Sequence, residues 1–199
     1  MCIRDSFGGK GVIRMGLPID PEFYQNAKPH FQAAWAHFKE LGKTVEDLIR
    51  HFYNIWGEKV LPYIRHFAME EVLRQEGEYQ VAYLPFSKNK LVDDTLIPYN
   101  QAEATRKALI KIKKEVGNVD EFVRNELGYD SAAEFEEAFS GDQVDSLAMV
   151  LYNLKRGQGM VVGDATGMGK GRVAAAIIQW AKKNGKKPIF FTEKPNLFT

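Results

Sequence analysis

Cysteine is almost missing from this chain of 199 residues, which contains only Cys2. A single thiol builds neither a disulfide framework nor a thiolate metal cluster, and such scarcity fits a reducing compartment. Net charge is missing too: 27 Lys and Arg stand against 26 Asp and Glu, for a formal charge of +1. That balance excludes a polyanion-binding charge spread over the whole molecule, while local basic stretches at 106–114 and 182–187 either face phosphate or form solvated surface. No apolar run reaches membrane-spanning length and the N-terminus lacks the apolar core of a signal peptide, so a cytoplasmic protein without a membrane partner is expected. His30, His37, His51 and His66 lie in amphipathic stretches with no HExxH or Cys pattern around them, which reads as surface or packed histidines and predicts no metal ligands.

What is present is the composition of a globular protein, 45% apolar and 27% charged. The length suits one ordinary domain, or a helical region joined to the start of a second. Residues 22–76 read as two or three helices. Phe31, Ala34, Trp35 and Phe38 share one face, Ile49, Phe52, Tyr53 and Trp56 continue an apolar stripe, and Thr44 with Asp47 forms a capping box. Pro29 and Pro62 predict breaks or helix starts nearby. Residues 77–100 lose the helical period and read as a linker, with at most a weak edge strand at Val81, Tyr83 and Pro85. Helices resume over 101–116 and then after Asn118, Ser131 and Ser140, these last three starts marked by a capping residue.

The period then changes. "GQGMVVGD" is a short apolar run bounded by glycine, and a helical stretch closing at Asn184 and Gly185 leads to a second apolar run over Pro188–Phe191. Strand, glycine loop, helix and strand predict an α/β fold, in which an N-terminal helical region is followed by a βαβ unit of a parallel sheet.

The loop itself, "GDATGMGKGR" at 163–172, carries the chemistry. Gly167 and Gly169 let backbone N–H groups approach phosphate oxygens, and the following helix adds a favourable dipole. Lys170 offers one ammonium to the terminal phosphates. The general pattern GxxxxGK[ST] is met imperfectly: Asp164 takes its first glycine position and Gly171 replaces the magnesium-binding hydroxyl.

"DATGMGKG" resembles motif I of superfamily-two helicases, and the fuller "GDATGMGKGR" is most similar to the strawberry notch helicase-like family, which also carries GKGR. The likeness extends over about residues 98–199. It implies a recA-like P-loop fold and ATP as ligand, cradled by Thr166, Gly167, Met168, Gly169, Lys170, Gly171 and Arg172, with Lys170 as the catalytic cation. It also implies that Gln143 reads adenine, although with Ser140 the same glutamine makes a capping box. Thr192, Lys194 and Asn196 stand where motif Ia touches the nucleic-acid backbone; a plain turn explains "EKPN" as well. DNA is the expected polymer, with RNA as the alternative.

The family's hydrolysis takes Mg2+ mostly through a later acidic strand, and arginine fingers from a second lobe. Asp93, Asp94, Asp120 and Glu121 precede the loop and are not expected to replace that acid. The chain is therefore read as an N-terminal fragment of a larger ATPase, of the kind found in large phage and plasmid polyvalent proteins, and inactive by itself. "MCIRDS" is similar to the translation of a sequencing-library adapter, so residues 1–6 are expected to be non-native. The resulting map is a helical region at 7–76, a linker at 77–100 and the start of a helicase-like domain at 101–199. A small-molecule P-loop kinase and a non-enzymatic helical interaction module with a degenerate loop are the competing readings.

Overall fold

The computed structural model describes residues 19–75, 80–90, 95–163 and 169–191. Helix α1 (Pro21–Glu40) starts where Asp20 accepts hydrogen bonds from the N–H groups of Glu22 and Phe23, with Pro21 preset in the first turn. It continues through Pro29, where a break was expected; Lys28 and Phe31 on either side are buried, and their packing holds the helix across the missing N–H. Helix α2 (Val45–Trp56) opens with the expected Thr44–Asp47 box and ends at Gly57, whose φ of 69° favours glycine. One 3₁₀ turn (Gly57–Val60) leads into α3 (Leu61–Gln75), with Pro62 in its first turn. Tyr24, Phe31, Trp35, Phe38, Leu48, Ile64 and Phe67 close this first core. Tyr53 and Trp56, read as continuing the apolar stripe, are instead exposed.

Strands β1 (Gln80–Ala82) and β2 (Leu96–Pro98) pair antiparallel, with Val81 opposite Ile97. Helices α4 (Tyr99–Val116), α5 (Val119–Leu127), α6 (Ala132–Ala138), α7 (Gly141–Lys155) and α8 (Lys170–Lys183) follow. Asn118 and Ser131 cap α5 and α6 through the N–H groups of Glu121 and Glu134, as their spacing predicts. Leu109, Val123, Leu127, Phe135, Val144, Leu147, Leu151, Val173 and Trp180 fill a second core around α7.

Among the described residues the parallel βαβ sheet expected around the glycine loop is not formed, and the fold is mostly helical. The described parts of both apolar runs, 157–163 and 187–191, carry no strand. A lone strand is not stable without a ladder, and a covering layer is needed to bury its faces. Here the apolar face of α8 that would cover a sheet, Val173, Ala176, Trp180 and Ala181, packs into the helical core, while Val161, Ile189 and Phe191 stay 90%, 76% and 87% exposed. The antiparallel β1–β2 pair is the sheet found among the described residues.

The two cores are joined by a buried ionic node. Glu70 on α3 accepts from Tyr24 Oη and Lys28 Nζ on α1, each at 2.8 Å, and from Arg106 Nη1 on α4 at 3.1 Å; His66 Nε2 lies 3.3 Å away. Burial alone would raise the Glu70 pKa, but His66, Arg106 and Lys28 together hold it well below the usual carboxylate range. The ionised form is thus favoured by folding. Its contribution is complete above the ordinary value of 4.5 and is lost as acid protonates the native carboxylate. Replacing Glu70 with Ala leaves Lys28 and Arg106 buried without their anion, at a cost of roughly 3–5 kcal/mol. Urea denaturation at pH 7 is expected to show that loss; a change under about 1 kcal/mol would mean that the node contributes little.

Candidate functional site

Helix α8 begins at Gly169, whose φ of 77° and ψ of 26° lie in the left-handed region. A second constraint acts on the same residue: a Cβ there would meet Gln143 Nε2 at 2.2 Å. Gln143 is on the first turn of α7, where its Oε1 accepts from the Ser140 N–H at 3.3 Å and closes the capping box. The structure therefore brings Gln143 to the loop, with its carbonyl oxygen engaged in the cap. Arg172 reaches back to α6, donating from Nη1 to the Ala138 carbonyl at 2.7 Å. The start of α8 is fixed against the α6–α7 corner from two sides.

Lys170, Gly171 and Arg172 are exposed on the first turn of α8, and that turn contains no Asp or Glu. Helix geometry directs the first-turn N–H groups out of the helix end, and the dipole makes that end favourable for an anion. Gly171 differs from Gly169. Its φ is not positive and a Cβ would meet nothing within 4 Å, so no contact among the described residues demands glycine there. Thr166, Gly167, Met168 and Asp164, and on the far side Thr192, Lys194 and Asn196, lie outside the described residues, as do Asp93 and Asp94.

Sequence reasoning missed the groups that hold α7 in place. Asp145 is fully buried in that helix and accepts from Tyr83 Oη at 2.8 Å, Phe86 N at 2.8 Å and Ser87 N at 2.9 Å. Ser87 Oγ also bonds Asp120, whose other oxygen accepts from Lys88 N at 3.0 Å. Asn89 Nδ2 donates to the Phe139 carbonyl, and the Lys90 carbonyl accepts from Gly141 N at 3.0 Å. Residues 83–90, read as linker, are thereby strapped along α7 up to its N-terminus. The available signal was an aspartate beside Val144 in a run with Leu147 and Ala148 on the buried stripe, since a carboxylate in that setting requires donors.

Among the described residues no group of three or more His, Cys, Asp or Glu is placed to hold a metal ion, and no helix is long and apolar enough to cross a membrane. Comparison with models of known families, with curated proteins and with solved structures finds no match to the chain.

Two measurements follow from this geometry. Gly169→Ala combines a disfavoured backbone conformation with a clash against Gln143, and is expected to lower stability by roughly 1–3 kcal/mol; an unchanged melting temperature would show that the turn adapts freely. Burial, assisted by the charge of Asp120 and opposed by the three donors, pushes the Asp145 carboxyl up to about 7. A carboxyl raised in the folded state stabilises the protein below its unfolded pKa and loses that contribution as pH rises through about 7. Wild-type stability should therefore fall relative to Asp145→Asn between pH 5 and pH 7, by on the order of 1 kcal/mol per pH unit. Parallel pH dependences in the two proteins would place the Asp145 titration elsewhere.

Proposed function

We propose that the chain binds ATP at the turn leading into α8, as the nucleotide-binding part of a DNA-dependent ATPase of strawberry notch type. The observation that supports this reading most directly is the acid-free first turn of α8, which follows a glycine held in the left-handed region and presents Lys170 and Arg172 to solvent. A polyphosphate is met by N–H donors, a helix N-terminus and a cation together, and the first turn of α8 offers that set with no Asp or Glu of its own. The phosphate contacts in this reading come from the loop and α8. Magnesium accompanying the nucleotide would take no ligand from Gly171, which has no side-chain oxygen. In the proposed setting, the cytoplasm of a bacterial or phage-infected cell, DNA is the polymer that the ATPase follows, and RNA is the alternative.

In this reading Gln143 contacts adenine in competition with the Ser140 cap, whose N–H its oxygen accepts at 3.3 Å. The competing reading, a helical interaction module, is favoured by a different observation: Tyr53, Ile55 and Trp56 at the end of α2 are each exposed.

Lys170 separates the two. Lys170→Ala removes a charged contact to phosphate, a loss of roughly 1.5–3 kcal/mol, and titration with a fluorescent ATP analogue should show affinity lower by about tenfold or more. Equal affinity in wild type and variant, or binding by neither, would overturn the nucleotide assignment in favour of the interaction module.

A further inference from the structure

The near-neutral balance of the whole chain conceals a concentration of positive charge at the C-terminal end of α8. Two donors converge there on one carboxylate, and a third cation binds the backbone beside it. Glu126 on α5 bonds Lys155 at the end of α7 and accepts from Trp180 Nε1 at 2.8 Å, while Lys183 Nζ donates to the Asn125 carbonyl at 3.0 Å. Next to Lys155, Arg156 lies 3.3 Å from Glu115 at the end of α4. Lys186, just past α8, sits over the Trp180 ring at 6.0 Å, and Lys182 and Lys187 are exposed beside it. Six cations thus surround an end where two carboxylates are paired.

Some of this charge complements helix dipoles: Lys183 bonds carbonyls at the end of α5, and Lys155 stands in the last turn of α7. That account does not extend to Lys186 and Lys187, which follow the terminating Gly185. Directly after them come Ile189, Phe190 and Phe191, all exposed. Cations followed by exposed aromatic rings offer what a single strand of nucleic acid requires, phosphate contacts along the backbone and π faces on which bases stack. An anionic membrane would instead require an apolar helix face beside the lysines. The apolar face of α8 is already buried in the core through Val173, Ala176, Trp180 and Ala181.

We propose that the end of α8 formed by Lys182, Lys186 and Lys187, with the exposed Phe191 four residues further along the chain, is a binding surface for single-stranded nucleic acid, recognised through its phosphates and stacked bases without sequence choice. The inference deepens the reading of the chain as part of a nucleic-acid-dependent ATPase, but lies at the opposite end of α8 from Lys170 and does not need ATP.

Fluorescence anisotropy of a labelled 20-mer of thymidine, titrated with the full chain, tests it. The variant Lys182→Glu/Lys186→Glu/Lys187→Glu should bind at least tenfold more weakly, and the slope of log K against log salt should fall by about 2, three phosphate contacts at roughly 0.7 each. Phe191→Ala should weaken binding severalfold with the salt slope unchanged, since stacking carries no counterion release. The control Lys39→Glu/Lys59→Glu/Lys111→Glu makes the same charge change on exposed positions elsewhere and should retain most of the affinity. Equal losses in the two triple variants would overturn the proposal in favour of net charge alone. Binding to phosphatidylserine vesicles without binding to the oligonucleotide would overturn it in favour of a membrane, and binding to neither would overturn it outright. Lys170→Ala should leave oligonucleotide binding intact, so failure of the ATP site and failure of this surface give different results.

Discussion

Asp145 places a carboxylate inside helix α7, which is buried on nearly every side, and the arrangement around the helix answers that cost. Three donors from residues 83–87 reach the carboxylate, which draws an otherwise irregular segment onto the helix. Once anchored, that segment continues past Asp120 and Phe139 to the backbone of Gly141, so the N-terminus of α7 is held as firmly as its middle. Gln143 projects from that fixed turn to within contact of Gly169, and the entry into α8 takes its position from there. The candidate nucleotide site is built on a helical corner whose geometry traces back to one buried acid.

A second buried carboxylate is treated in the opposite way. Glu70 is surrounded by cations from three helices, whereas Asp145 receives neutral donors and has Asp120 nearby. Surrounding charge lowers the first and burial raises the second, although both groups are inaccessible to water. Each also ties distant segments together. Glu70 connects α1, α3 and α4, and Asp145 connects α7 to the strap between the two strands. These polar ties reach between packed elements that apolar contact alone leaves free to slide.

Charge in the remainder of the molecule is sorted along α8. Its first turn presents Lys170 and Arg172 without an acid, and its far end gathers six cations about Glu126 and Glu115. Fourteen residues of helix, about 20 Å, separate the two ends. The apolar face between them is locked into the core, so the helix is a rigid spacer between two cationic surfaces rather than a binding face itself.

Local signals in the sequence determined most helix starts and stops, because a capping side chain and the groups it bonds lie within three residues of each other. Thr44, Asn118, Ser131 and Ser140 were legible for that reason, Gly185 because a glycine tolerates the positive φ that ends a helix, and Gly169 with Lys170 as a helix entry. The sequence misled where an apolar run admits two partners. "GMVV" and "PIFF" have the composition of buried strands, yet strand formation depends on a ladder supplied by another segment, and the helices took the face of α8 that would have covered it. Pro29 misled similarly, since only packing on both sides shows that a helix persists across it. Tertiary structure alone decided which polar residues matter: Glu70 meets Lys28 and Arg106 across separations of 42 and 36 residues, and Asp145 meets Tyr83 across 62. No periodicity or motif encodes contacts at that range, because they exist only after the chain has brought remote helices together and excluded water from between them.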